Sequence, residues 1–282
     1  PAPPAPYTAT ERRAGAGGGG GAGGGGGRKE QHAMFELALS TVSCPAWPLE
    51  AAVDAAREAG YGGLELRTFG PASRRVASDP FLTDSDKSRH LCARRGVRID
   101  SLACSERFDR AVTPPVIGHA FGDADVEVRQ AARVIDLAAL LGCPRVRVFA
   151  GDVGPTDYHR HAQAALRRIE PRLRLVADHA LKREVTVCVE ASGWFARCDH
   201  LAELIARLDR PTLRVGVSTA SMWLEGEEPA AVVEALTDLI GFVSITDVGD
   251  EGEARRLGEG KLPVEQTVTS LAQTRYDGLV VV

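Results

Sequence analysis

Short runs of β-branched and aliphatic residues alternate along this chain with longer stretches whose apolar positions recur every three or four residues. The short runs predict strands at Glu36–Ser40, Gly63–Leu66, Arg98–Ala103, Arg145–Phe149, Val185–Glu190, Leu213–Ser218, Phe242–Thr246 and Leu279–Val282. Between them the pattern predicts helices near 48–59, 81–95, 124–141, 157–181, 198–208, 229–239 and 263–273. In the stretch 124–141, Val128, Ala132, Ile135 and Ala139 share one face, opposite Glu127 and Arg133. Pro48 suits a first helical turn, and Gly60, Gly96 and Gly142 stop three of the helices.

This alternation from Met34 to Val282 predicts one α/β domain, a parallel (β/α)8 barrel of the usual size of about 250 residues, with its eighth helix missing. The rival, an open doubly wound sheet, lacks its best signal. Where G-x-G-x-x-G would follow the first strand, Ser40-Thr-Val-Ser-Cys-Pro45 stands instead. Residues 1–33 are of another kind, Pro/Ala-rich and then almost pure glycine, with nothing to bury. They are expected to form a disordered tail without the apolar core of a secretion signal, Met34 being the expected natural start.

Composition narrows the function. With 44% hydrophobic and 26% charged residues and a formal charge of −4, the chain offers no basic footprint for nucleic acid. No apolar run approaches the roughly 18 residues of a membrane span. Six scattered cysteines without a CxxC read as reduced thiols, which points to a cytoplasmic protein.

In such barrels reactive groups sit at the C-terminal strand ends. Those ends carry Glu65 and Arg67 on strand two, Arg147 on strand four, Glu190 on strand five, Ser218 on strand six, and Ser244 with Asp247 on strand seven. Glu65 and Arg67 share a parity and hence a face. Trp194 and Trp223 follow strands five and six, where loop aromatics can stack on a ligand. Ser218, Ser221 and Ser244 do not make a nucleophilic trio, because no Asp–His pair can be assigned beside them. His159 and His161 have metal-like spacing but open a helical pattern, which reads as a solvated face, and Lys261 reads as a solvated loop lysine.

Six segments, taken in order, resemble the xylose-isomerase-like sugar phosphate isomerase/epimerase family over nearly all of residues 34–282. They are Leu37–Pro48, Gly60–Arg67, Leu141–Gly151, Val215–Pro229, Leu257–Pro263 and Arg275–Gly278. In the fourth, Gly226, Glu227 and Pro229 keep the family's G-E-x-P in register. The resemblance implies a divalent cation such as Mn, Mg, Co or Zn, held by Glu, Asp, His and Glu from strands five to eight. It also implies carboxylates that shuttle a proton on a sugar.

At those positions this chain has Glu190, then Ser218 for the Asp and Ser244 for the His, while the last ligand would fall one residue beyond Val282. The histidine of the family's D-x-x-H is Ser221, and its H-x-K-D reads Ser244-Ile-Thr246-Asp247. Neutral hydroxyls do not offset the cost of stripping water from such an ion, so no bound metal and no other cofactor is expected.

Three functions follow. The first is a barrel without metal-dependent isomerase activity that binds a small sugar-like or carbonyl ligand. The second is a metal-independent isomerase, epimerase or related proton-transfer enzyme in which Glu190, with Glu65 or Asp247, provides acid and base. There Arg147 clamps the carbonyl, and Arg67, Trp194, Trp223, Ser218, Ser221 and Ser244 complete the binding set. The third is a metal-dependent isomerase whose sequence here is incomplete. Glu190 paired internally with Arg147 is the competing structural reading of both residues. A homodimer is the partner that the resemblance implies.

Overall fold

A computed structural model of the chain describes residues 35–69, 79–111, 125–151 and 155–282, and of residues 155–162 the backbone alone. The predicted tail, with His32, lies outside the described residues, as do His119 and the side chains of His159 and His161. Eight parallel strands close into a barrel. They are β1 Glu36–Ser40, β2 Gly63–Arg67, β3 Arg98–Arg107, β4 Arg145–Phe149, β5 Thr186–Glu190, β6 Leu213–Ser218, β7 Ile240–Ser244 and β10 Leu279–Val281. Strand β10 closes the ring by pairing with both β1 and β7.

The helices are α1 Leu49–Glu58, α2 Ser85–Arg95, α3 Val126–Leu141, α4 Pro155–Leu181, α5 Cys198–Leu208, α6 Thr219–Leu224, α7 Pro229–Leu236 and α8 Val264–Gln273. Asp84 caps α2 by accepting from the Lys87 amide, so that helix starts later than the apolar pattern alone suggests. Gly96 and Gly142 end α2 and α3 in the left-handed conformation, as their sequence positions predict.

Three elements correct the sequence reading. The predicted helix 229–239 is α7 followed by a separate 3-10 turn, Thr237–Leu239. Strand β7 therefore begins two residues earlier and ends at Ser244, short of Thr246. Asp247 does not end a barrel strand. It opens a small antiparallel hairpin, β8 Asp247–Val248 with β9 Ala254–Arg255, whose two-residue strands are too short to leave a period-two signal. Among the described residues no helix is long and apolar enough to cross a membrane.

Strand parity sorts the interior. Leu64, Leu66, Val146, Val148, Val187, Val189, Val215, Val217, Val243 and Val280 point outward into one continuous core with the helices. The alternate positions point into the barrel. There Ala38, Cys188, Phe242, Leu279 and Val281 form a separate apolar plug. Gly216 leaves room for it, since a Cβ at that position would lie 2.6 Å from the Phe242 ring. By strand direction and parity, Ser40, Glu65, Arg147, Glu190, Ser218 and Ser244 lie on the C-terminal side of this plug. On its N-terminal side are Glu36, Arg98, Asp100, Arg145 and Arg214.

Candidate functional site

Arg147 sits between two carboxylates, and all three are nearly removed from solvent, at 8% exposure for Arg147, 2% for Glu65 and 6% for Glu190. Arg147 Nη1 donates a hydrogen bond to Glu190 Oε2. Its Nε lies 3.2 Å from Glu65 Oε2, within ion-pair reach but off the line of a hydrogen bond. The guanidinium also lies 5.8 Å from the centre of the Phe149 ring, and Arg107 lies 5.6 Å from the same ring.

Glu65 is held at both oxygens. Ser40 Oγ donates to Oε1 at 2.7 Å, and Ser101 Oγ donates to Oε2 at 3.3 Å. The β2–β3 register shift beside Leu64 brings Ser101 opposite Glu65. No sequence signal announces Ser40 or Ser101, because their partner lies 25 and 36 residues away.

Glu190 differs from Glu65, for the described residues engage only its Oε2. Burial pushes its carboxyl above the usual value of 4.5, Arg147 pulls it back, and the Glu65 charge adds to the rise. Arg147 is likewise costly to bury, yet Glu65 and Glu190 hold it more firmly protonated than a free arginine. Two carboxylates therefore share one guanidinium, and burial together with the Glu65 charge favours the protonated form of Glu190 more than in a free glutamate.

Around this triad the other candidates take varied positions. Ser218 and Ser244 are partners across the β6–β7 ladder. Ser218 caps the short helix α6, accepting from the Ser221 amide, and its hydroxyl donates to Ser221 Oγ at 3.0 Å. These hydroxyls stand at the C-terminal strand ends with Glu190, and Trp223 is half-buried on α6 beyond them. Arg67 turns to the loop after β1, donating to the Pro45 carbonyl at 3.3 Å.

Trp194 is placed elsewhere than the barrel mouth. Its ring stacks on His200 of α5, centroids 3.6 Å apart, and both line a groove between α4 and α5 with Arg167, Glu170 and Arg207. The 3-10 turn Gly193–Ala196, invisible in the apolar pattern, is what carries Trp194 onto the helix layer. Lys261 lies on an exposed loop paired with Asp250.

Asp247 is fully buried but does not join the triad. Its Oδ1 accepts from the amides of Val248 and Leu262 at 2.9 and 3.0 Å, and its Oδ2 from those of Gly258 and Gly260, both at 2.9 Å. Burial works against its charge. The amides of Gly260, Leu262, Gly258 and Val248 outweigh burial and leave the carboxyl below the usual 3.8. A Cβ at Gly260 would meet Asp247 Oδ1 at 2.2 Å, so the loop can close on the carboxylate only with glycine there.

At the positions where the resemblance puts cation ligands, Glu190 is occupied by a guanidinium and Ser218 by a helix cap. Among the described residues no three His, Cys, Asp or Glu side chains are grouped to hold a metal ion. All six cysteines are free thiols, and burial pushes those of Cys143 and Cys188 up to about 12.

The closed parallel barrel with a charged cluster at the C-terminal ends of its strands is that of the (β/α)8 proteins. More narrowly, residues 53–282 match the model of the xylose isomerase-like TIM barrel family, and the chain belongs to that family. Among solved structures it resembles a probable 3-DHS dehydratase from Bacillus anthracis at 16% identity and a TM-score of 0.71, covering 88% of this chain and 92% of that one. A D-tagatose 3-epimerase-like protein gives 16% and 0.70, covering 88% and 90%. A D-allulose 3-epimerase from Methylomonas sp. gives 17% and 0.68, covering 88% and 83%. At these identities the likeness is one of fold.

Proposed function

We propose that this chain works without a resident divalent cation and binds a small sugar-like or carbonyl compound at the Arg147–Glu190 end of the barrel. The observation that carries this reading is the hydrogen bond from Arg147 to Glu190, the one carboxylate among the ligand positions within the sequence. A cation at Glu190 would have to displace a guanidinium already compensating that charge, with only the hydroxyls of Ser218 and Ser244 beside it. That donor set does not fit a hard divalent ion. The sugar epimerases among the structural neighbours support the ligand class, and the hydroxyl-lined strand ends suit a polyol or carbonyl compound.

A second reading is favoured by the placing of Glu190 at a strand end with only Oε2 engaged by Arg147. Burial raises its carboxyl above the usual value, the direction that suits a general acid, and an acid so placed can exchange a proton with a carbon next to a carbonyl. One experiment tests both. Ketoses and aldoses are screened by thermal denaturation in excess chelator, and each stabilising compound is then incubated with the protein in D₂O.

Saturable stabilisation that weakens in Glu190→Gln is the expected result for binding. Deuterium entering the substrate with the wild type and not with Glu190→Gln identifies the proton-transfer enzyme. Stabilisation equal in both proteins would remove Glu190 from the site, and binding seen only when a divalent cation is supplied would overturn the proposal.

A further inference from the structure

The N-terminal end of the barrel holds a cavity of about 460 Å³, on the far side of the plug from Arg147 and Glu190. Arg145, Arg214 and Arg275 line it, together with Thr186, Gly241 and Tyr276. Arg145 stands level with Thr186 on β5, and Arg214 level with Cys188 one pleat further in. A Cβ at Gly241 would lie 2.7 Å from Arg214 Cβ, so glycine there is what admits the Arg214 side chain.

The strand acids at this end, Glu36 and Asp100, are committed elsewhere. Glu36 and Asp100 both pair with Arg98, at 3.0 and 3.2 Å. Arg145 reaches Asp100 only at longer range, and among the described residues no carboxylate lies within 4.0 Å of the Arg145, Arg214 or Arg275 guanidinium. Arg214 instead donates through one nitrogen to the carbonyls of Pro211 and Leu213. Asp238 and Asp277 line the rim and are exposed, leaving three guanidiniums facing two solvated carboxylates.

Arg275 adds an independent sign. It follows α8 with φ 56°, the left-handed conformation that Gly96 and Gly142 adopt after α2 and α3. Placing a long cationic residue where glycine is favoured incurs strain, and this residue lines the cavity.

We infer that the N-terminal cavity binds a small molecule bearing a phosphate or carboxylate group, held by the guanidiniums of Arg145, Arg214 and Arg275. Guanidinium forks match the planar oxygen pairs of such oxyanions, and the cavity has the volume of a small-ligand site. This site is independent of the reading of Glu190.

The test is thermal denaturation of the full chain titrated with inorganic phosphate or with succinate, against sodium chloride at matched ionic strength. One of the two anions is expected to stabilise the protein saturably beyond chloride, and which one does so identifies the group recognised. Arg145→Gln and Arg214→Gln should each weaken the apparent affinity at least tenfold, while the exposed control Arg256→Gln leaves it unchanged. Arg275→Gly needs no intact interior. It should raise the melting temperature of the ligand-free protein and still weaken anion binding, a pair of effects that a merely structural arginine would not give. Stabilisation by both anions no greater than by chloride, or affinity unmoved in all three variants, overturns the inference.

Discussion

Arg147→Met is expected to cost about 3–5 kcal/mol, the usual range when one partner of a buried ion cluster is removed. For a domain of this size the melting temperature should fall by on the order of 10 °C. The reason is the company Arg147 keeps. Without it, Glu65 and Glu190, 2% and 6% exposed in the intact protein, lose the cation that both approach.

Glu190→Gln should behave oppositely. It leaves one carboxylate for one guanidinium, and the amide oxygen can still accept from Arg147, so stability should change by less than about 1 kcal/mol. The pH dependence carries a sign. Because the folded protein raises the Glu190 carboxyl, the associated stability is present below pH 4.5 and is lost as pH rises through the folded value. Urea denaturation across pH 4–8 should show that loss in the wild type and a flatter profile in Glu190→Gln. An Arg147→Met variant as stable as the wild type would remove the triad from the account.

The second large effect belongs to Asp247. Replacing it with alanine withdraws the acceptor from four amides, those of Val248 and Leu262 being the most buried. Water can reach the glycine amides, so the expected cost is about 2–4 kcal/mol, less than four separate charged hydrogen bonds would suggest. Hydrogen exchange at Leu262 and Val248 should accelerate in Asp247→Ala, while the barrel amides of β4 and β5 keep their protection.

The depressed carboxyl gives the opposite pH sign to Glu190. Its contribution is present above 3.8 and is lost as pH falls through the lower folded value. A structural role of this kind takes Asp247 away from the acid and base chemistry that its place after strand seven had suggested.

Much of the barrel could be read from the chain because its strands are both apolar and regularly spaced. Strand bounds such as Glu36–Ser40, Arg145–Phe149 and Leu213–Ser218 agree residue for residue between pattern and structure. The positions of the strand ends also gathered Glu65, Arg147 and Glu190 at one end of the barrel. What it could not convey was company across the barrel.

Ser40 and Ser101 reach Glu65 through strand pairing and a register shift, and neither residue type signals such a role locally. Trp194 was read as a mouth residue from its place after β5, but a single 3-10 turn rotates it onto His200 in the helix layer. The hairpin around Asp247 is held by backbone amides, which carry no side-chain signature. Arg145 and Arg214 share the inward parity of Arg147 and Ser218, so the arginines of the N-terminal cavity were present in the pattern. That no acid among the described residues pairs with them is a matter of tertiary placement.

The central claim is that a guanidinium, and not a divalent cation, compensates Glu190. Titration of the purified full chain with Mn²⁺, Co²⁺ or Mg²⁺ after chelator treatment, followed by thermal denaturation, addresses it most directly. The account predicts a melting temperature that does not move with cation at millimolar concentration. A saturable rise abolished by Glu190→Gln would contradict it, since a ligand at 100 times its Kd stabilises by about 2.7 kcal/mol and could not be overlooked.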